Sequence, residues 1–330
     1  MNKFLWMITI LLIIIISLFL LFLLTGKKAQ AENIVWGVNF SSKQATDLGL
    51  DPKETYLKIL DDLKADHIKL AVHWDSIEKV EDSFDMTEFD FYMNEAQKRG
   101  VKIILAIGMK TPRWPEYHTP EWTEEMSPED QQKEILEMLS FVVNRYKDYS
   151  NLIAWQVENE PFFNYGKAPW KDGSFLEKEI NIVKEADQSH EVVITDSGEM
   201  SFWFKAAKLG DVVGVTMYTK VWSDIIKSDF YYPYSPSFYG KKADLIKLFF
   251  KKEVWCLELQ AEPWGKELIQ DSTVEEQLES MSINRFKYNL EYAKKTGLNT
   301  FYFWGAEWWY YMQEKYNDSS FLDEAKNLWN

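Results

Sequence analysis

The chain has 330 residues, 46% hydrophobic and 16% aromatic, with only 14 Gly and 10 Pro. This excludes collagen, coiled coil and wholesale disorder and suffices for one large core or two small ones. Lys and Arg number 37 against 52 Asp and Glu, a formal charge of −15 that repels phosphate backbones and anionic headgroups, so no nucleic acid partner is expected.

One cysteine, Cys256, cannot form an internal disulfide and reads as a small core residue. Four histidines without an H-E-x-x-H pattern or a Cys/His cluster leave little material for a metal site. The 15 Trp and 17 Tyr exceed what packing needs, and such amphipathic rings also suit exposed binding platforms.

Residues 4–24 form a run of 21 residues with Trp6, Thr9 and Ser17 as its least apolar members, long enough to cross about 30 Å of hydrocarbon. Lys3 precedes the run and Lys27 and Lys28 follow it, so the flanking charges set no orientation. The run is longer than the ~7 to 15 apolar residues of a secretory signal, yet Ala29-Gln30-Ala31 has the form of a cleavage site. Residues 1–33 are therefore expected to be a signal anchor or signal peptide with a short linker. The remainder then lies outside the cytoplasm, tethered to the membrane, or secreted if cleavage follows Ala31.

From residue 34 onward, strand-like and helix-like patterns alternate. Strands are expected at 34–41, 67–74, 101–108, 152–160, 191–196, 212–219, 254–260 and 300–304. Helices are expected at 52–64, 88–99, 128–146, 175–187, 202–208, 242–250 and 274–295. Eight β/α units without a linker or a Gly-rich phosphate turn predict an α/β fold, a (β/α)8 TIM barrel filling residues 34–330. Loop insertions after the third, fourth and sixth strands fall on the barrel top.

Alternation along each strand sorts packing residues from site residues. Ile68, Leu70 and Val72 are expected to face the helices, leaving Lys69, Ala71 and His73 inward. In the fourth strand Trp155 and Val157 face out and Gln156, Glu158 and Glu160 face in. The same alternation places Gly214, Thr216 and Tyr218 of the sixth strand and Tyr302 and Trp304 of the eighth inside. In the seventh strand Trp255, Leu257 and Leu259 are expected outward and Val254, Cys256, Glu258 and Gln260 inward. Buried charges need partners or a task. Glu160 and Glu258 sit at the carboxyl ends of the fourth and seventh strands, where a barrel carries its reactive groups. Two carboxylates facing across a pocket are the minimum equipment for glycoside hydrolysis.

The stretch Trp155-Gln-Val-Glu-Asn-Glu-Pro161 resembles the strand-4 motif of retaining clan A glycoside hydrolases, and Val254-Trp-Cys-Leu-Glu-Leu-Gln260 resembles their strand-7 segment. Tyr218, Trp304 and the opening Trp36-Gly-Val-Asn39 also fit, with a flavour between the cellulase-like family 5 and the family 42 β-galactosidases. The resemblance covers residues 34 to about 310. It implies Glu160 as acid/base, Glu258 as nucleophile, Asn159 as partner of the sugar 2-hydroxyl and Tyr218 as hydrogen-bond donor to the nucleophile. Lys69 stands where many family 5 members have an Arg, and Lys is a weaker bidentate partner.

Other readings attach to individual residues. Glu262, the rival nucleophile, lies four residues beyond Glu258 and is expected to touch substrate or cap the next segment. Glu158 reads as a supporting carboxylate, and His73 either orients a catalytic carboxylate or is a hydrogen-bonded core residue. Arg113-Trp-Pro-Glu116 adds a wall to the site. Trp114, Trp170, Trp264, Trp308 and Trp309 lie in expected top loops, about half of them as packing. Expected substrates are β-linked oligo- or polysaccharides, cleaved by double displacement with no cofactor and no metal. Partners are this carbohydrate and a membrane through residues 4–24, with the chain a monomer. The alternatives are an inactive glycan-binding barrel and a transglycosylase using the same site.

Overall fold

The computed structural model describes residues 3–170 and 172–329; the side chains of residues 3, 4, 16, 19 and 20 lie outside the described ones. The first half runs α1 (Lys3–Leu24), β1 (Val35–Phe40), α2 (Ser42–Asp47), α3 (Pro52–Asp61), β2 (His67–Ala71), α4 (Trp74–Ile77), α5 (Thr87–Arg99), β3 (Lys102–Ile107), α6 (Pro128–Tyr146) and β4 (Leu152–Val157). Then follow α7 (Phe175–Ala186), β5 (Glu191–Asp196), α8 (Phe204–Leu209), β6 (Val212–Met217), β7 (Lys220–Ser223), β8 (Ser228–Tyr231) and α9 (Pro236–Phe250). The chain ends with β9 (Val254–Gln260), α10 (Val274–Ser280), α11 (Ile283–Lys294), β10 (Thr300–Trp304), α12 (Ala306–Tyr316) and α13 (Ser320–Lys326).

Helix α1 is 22 residues long, and its described side chains Leu11, Ile13 and Leu18 are exposed. The expected membrane crossing at 4–24 includes residues 4, 16, 19 and 20, whose side chains lie outside the described ones. Among the described residues no helix is long and apolar enough to cross a membrane. The end of α1 packs on α9: Lys241 Nζ donates to the carbonyls of Phe22 and Thr25, and Lys28 pairs with Asp244 at 2.5 Å.

Eight parallel strands close in the order β1-β10-β9-β6-β5-β4-β3-β2, the expected (β/α)8 barrel. Local chemistry sets the helix ends. Ser127 accepts from the Asp130 amide at 3.2 Å with Pro128 in the first turn of α6, and Gly100 ends α5 in the left-handed region. The single helix expected at 274–295 is two helices. Ser282 accepts from the Arg285 amide at 3.2 Å and starts α11, while Met281 leaves the helical conformation and is buried. A serine capping a new amide competes with continuation of the preceding helix. The sixth-strand insertion carries the β7–β8 hairpin, which is antiparallel.

The barrel interior holds Ile104, Ala154, Val193, Val212, Leu257 and Tyr302. Gly37 opposes Tyr302, where an added Cβ would come 2.6 Å from the ring, so only glycine admits the tyrosine. The expected parity of the seventh strand is corrected here. Val254, Cys256 and Leu259 lie in the shell between barrel and helices, whereas Leu257 fills the interior. The cause is a β-bulge: Val215 pairs with Cys256 but Thr216 pairs with Glu258, so β9 carries one residue more than β6. Without that extra residue, strict alternation from Cys256 would turn Glu258 toward the helices.

Candidate active site

Glu258, delivered inward by the bulge, is buried. Its Oε2 accepts from the Tyr218 hydroxyl at 3.0 Å and its Oε1 lies 3.5 Å from Lys69 Nζ. Lys69 is 1% exposed and also donates to Gln156 Oε1 at 3.1 Å. Burial pulls the Lys69 ammonium down from its ordinary range, and Glu258 opposes that pull. The lysine at the usual arginine position thus still reaches the strand-7 carboxylate, through one nitrogen. Tyr218 is itself set by Glu199, whose Oε1 accepts the Tyr218 amide at 2.8 Å and the Tyr239 hydroxyl at 2.7 Å.

Glu160 sits just beyond β4 with φ 41°, a left-handed backbone that is uncommon outside glycine. Its amide donates to Thr195 Oγ1 at 2.7 Å, and Thr216 Oγ1 lies 3.3 Å from its Oε1. Burial, then the charges of Glu258 and Glu116, hold its carboxyl well above the usual carboxylate range, with Lys110 opposing. A carboxyl held above its usual range therefore shares a pocket with one that accepts from Tyr218 and Lys69. Glu158, two residues earlier, does not join the pair. It accepts the amides of Met109 and Lys110 at 2.7 and 3.0 Å, bracing the end of β3 against β4.

Asn159 accepts from Gln156 Nε2 at 3.1 Å and donates through Nδ2 to Glu116 Oε2 at 3.0 Å. Burial lifts Glu116 to about 7, opposed by Lys110 and aided by Glu258. Glu116 therefore belongs to the site and is more than a wall.

Two expected residues are bound elsewhere. Glu262 is ion-paired with Arg113, which also reaches Glu307 at 3.4 Å and lies 4.0 Å over the Trp304 ring. This neutralises the rival nucleophile and covers one face of Trp304. His73 lies 2.9 Å from Thr111 Oγ1 and 3.4 Å from Ser41 Oγ, its ring 4.0 Å from that of His118. Burial pulls it well below the ordinary histidine range, so it is a neutral, hydrogen-bonded core residue, not a partner of either carboxylate.

Trp308 and Trp309 lie in helix α12 and not in the expected top loops. Trp170, Trp308 and Trp309 pack, their indole nitrogens bonded to Gln131, Gln277 and the Ala261 carbonyl. Trp114 is 48% exposed, and Tyr165 lies between it and Trp264 at 5.9 and 6.1 Å. Trp264 then meets Tyr218 edge-on at 5.0 Å. Tyr165 and Glu199 escape sequence reasoning because both sit in loops beyond their strands, where alternation no longer reports direction.

Residues 28–228 match the family model for Cellulase (glycosyl hydrolase family 5), and the chain belongs to that family. It is a glycosidase. No curated protein sequence matches it. Among solved structures it is similar to a GH5_18 protein from Bifidobacterium longum, with TM-score 0.59 and 12% identity over 83% of this chain and 70% of that one. It is similar to xylanase 10B of Thermotoga petrophila, with TM-score 0.52 and 14% identity over 85% and 86% of the two chains. A β-galactosidase from Halorubrum lacusprofundi gives TM-score 0.54 and 14% identity over 81% of this chain; the match spans about half, 52%, of that protein.

Proposed function

We propose that this glycosidase cleaves β-linked glycans with retention of anomeric configuration, Glu258 acting as nucleophile and Glu160 as acid/base. The observation that carries this reading is the contrast between the two carboxyls. Glu258 accepts hydrogen bonds from Tyr218 and Lys69, while burial and the neighbouring charge of Glu258 favour the protonated form of Glu160. In the first step Glu258 attacks the anomeric carbon, the glycosidic bond breaks, and the Glu160 proton passes to the leaving oxygen. The glycosyl ester neutralises Glu258, which removes the repulsion that kept Glu160 protonated. Glu160 then takes a proton from water, the resulting hydroxide attacks the same carbon, and the Glu258 carboxylate leaves. Tyr218 and Lys69 hold the nucleophile throughout, and Asn159 binds the sugar beside it.

The β-linkage is supported by two structural neighbours that act on β-linked sugars, an endo-β-1,4-xylanase from Gloeophyllum trabeum and the Halorubrum lacusprofundi β-galactosidase. The apolar run at residues 4–24 supports a further proposal, that residues 1–33 anchor or export a monomeric catalytic domain acting outside the cytoplasm. The test is full-length protein in detergent with a panel of aryl β-glycosides, product configuration being read by proton NMR. Retention, lost in Glu258→Ala and restored by azide in Glu160→Ala on an activated substrate, is the expected result. Inversion, or binding of oligosaccharides without cleavage by wild type, overturns it.

A further inference from the structure

Glu116 is a third carboxylate in the pocket, and neither step above uses it. Its backbone is unusual. The loop after β3 is tied by hydrogen bonds from the Thr111 amide to the Glu116 carbonyl at 3.0 Å and from the Glu116 amide to the Arg113 carbonyl at 2.7 Å. Within this loop Arg113 and Glu116 both have positive φ, 103° and 75°. Such non-glycine residues are sparse and cluster where a side chain must be aimed. Gly166 of the next loop presses on it, since a Cβ there would come 2.8 Å from Glu116 Cβ.

The cations nearby are engaged elsewhere. Lys69 is bonded to Gln156 and Glu258, Arg113 to Glu262 and Glu307, and Lys110 Nζ to the carbonyls of Glu160 and Phe163 at 3.1 and 3.0 Å. Among the described residues Glu116 has one side-chain partner, Asn159 Nδ2. Its Oε1 has no donor there and is not among the oxygens sealed from solvent. A carboxylate offers about four acceptor sites, and a largely buried one with a single donor is poised for more. Its position is fixed by Asn159, the residue preceding Glu160, and its charge acts on both Glu160 and Lys69.

We propose that Glu116 is a substrate-binding residue whose free oxygen accepts a hydrogen bond from a ring hydroxyl close to the anomeric carbon, the 2- or 3-hydroxyl, so that the site selects glycons carrying that hydroxyl unblocked. The proposal rests on the glycosidase geometry above. It also makes the site hostile to glycons with a carboxylate at that place, because like charges would meet in a buried pocket.

The test compares full-length wild type, Glu116→Gln and Glu116→Ala on an aryl β-glycoside and its 2-deoxy and 3-deoxy analogues. Both variants keep the Cβ, and Gln keeps an oxygen for Asn159. The expected result is a loss of about ten- to hundredfold in kcat/KM on the parent for Glu116→Ala, a smaller loss for Glu116→Gln, and almost none on one of the two analogues. Melting temperatures report folding, and Glu116→Gln carries the test alone if the Ala variant does not fold. Equal losses on all three substrates, or no loss, overturn the proposal. If wild type cleaves none of them, the catalytic reading fails separately. The same comparison is then made by calorimetric binding of parent and analogues, where equal affinities for wild type and Glu116→Gln overturn the Glu116 contact.

Discussion

The Tyr218 hydroxyl lies 3.0 Å from Glu258 Oε2, joining the end of the sixth barrel strand to the carboxylate on the seventh. A hydrogen bond to a charged acceptor is worth about 1.5 to 3 kcal/mol. Tyr218→Phe therefore lowers kcat/KM by about ten- to hundredfold on aryl glycosides. The fold should be untouched, so the melting temperature serves as the control. An unchanged kcat/KM would remove Tyr218 from the mechanism.

Lys69 answers for stability as well as activity. It is buried against Glu258 and Gln156, and removing one member of a buried charge pair costs roughly 3 to 5 kcal/mol because the other is left uncompensated. Lys69→Met should lower stability by about that amount in denaturant titration, with activity nearly abolished. A variant as stable as wild type would mean that Glu258 does not depend on the lysine.

The pH dependence follows from the direction of the shifts. Glu160 must carry its proton to act as acid, and it is held well above the usual range, so kcat/KM should stay high past pH 5 and fall on an alkaline limb. Glu116 is one of the charges raising Glu160; Glu116→Gln should move that limb to lower pH. A limb in the ordinary carboxylate range for wild type contradicts the assignment.

Stability has its own pH profile. Glu116, Glu158 and Glu307 are each raised by burial from 4.5 to about 7. These groups bind protons more tightly when folded, so their contribution is complete below the unfolded value and is lost as pH rises through about 7. Melting temperature should be higher near pH 5 than near pH 8, by on the order of 5 °C. A melting temperature that climbs over this interval would mean the carboxyls are not held as described.

Gly108 is a backbone test. Its φ is 130° and an added Cβ would come 2.3 Å from Glu158 Oε1, the oxygen that receives the Met109 amide. Gly108→Ala should destabilise by about 2 kcal/mol or more, and displace the strand ends that carry Glu160. Wild-type stability and kcat in this variant would show that the brace does not position the site.

Strand alternation made most of the barrel legible. The runs 191–196, 254–260 and 300–304 match β5, β9 and β10, and the helix at 128–146 matches α6. What failed did so for physical reasons. The bulge in β9 reversed the orientation of Val254, Cys256 and Leu257, since alternation assumes one residue per rung. The β7–β8 hairpin turns through Asp224-Ile-Ile-Lys227, without the glycine that marks tight hairpin turns. Helix α12 buries Trp308, Trp309, Tyr310 and Met312 around much of its circumference, which erases the amphipathic period. Glu160 and Glu258 were visible because both lie at strand ends. Glu116 was read only as wall, because a positive φ in the loop after β3 decides where it points.

The central claim is that Glu258 is the nucleophile. It is tested most directly by incubating the full-length protein with activated 2-deoxy-2-fluoro aryl β-glycosides of several epimers and locating the trapped sugar by peptide mass spectrometry. The account predicts one covalent sugar per chain, on Glu258, absent from Glu258→Gln. A label on Glu262, or turnover of the parent glycoside by Glu258→Gln at the wild-type rate, would contradict it.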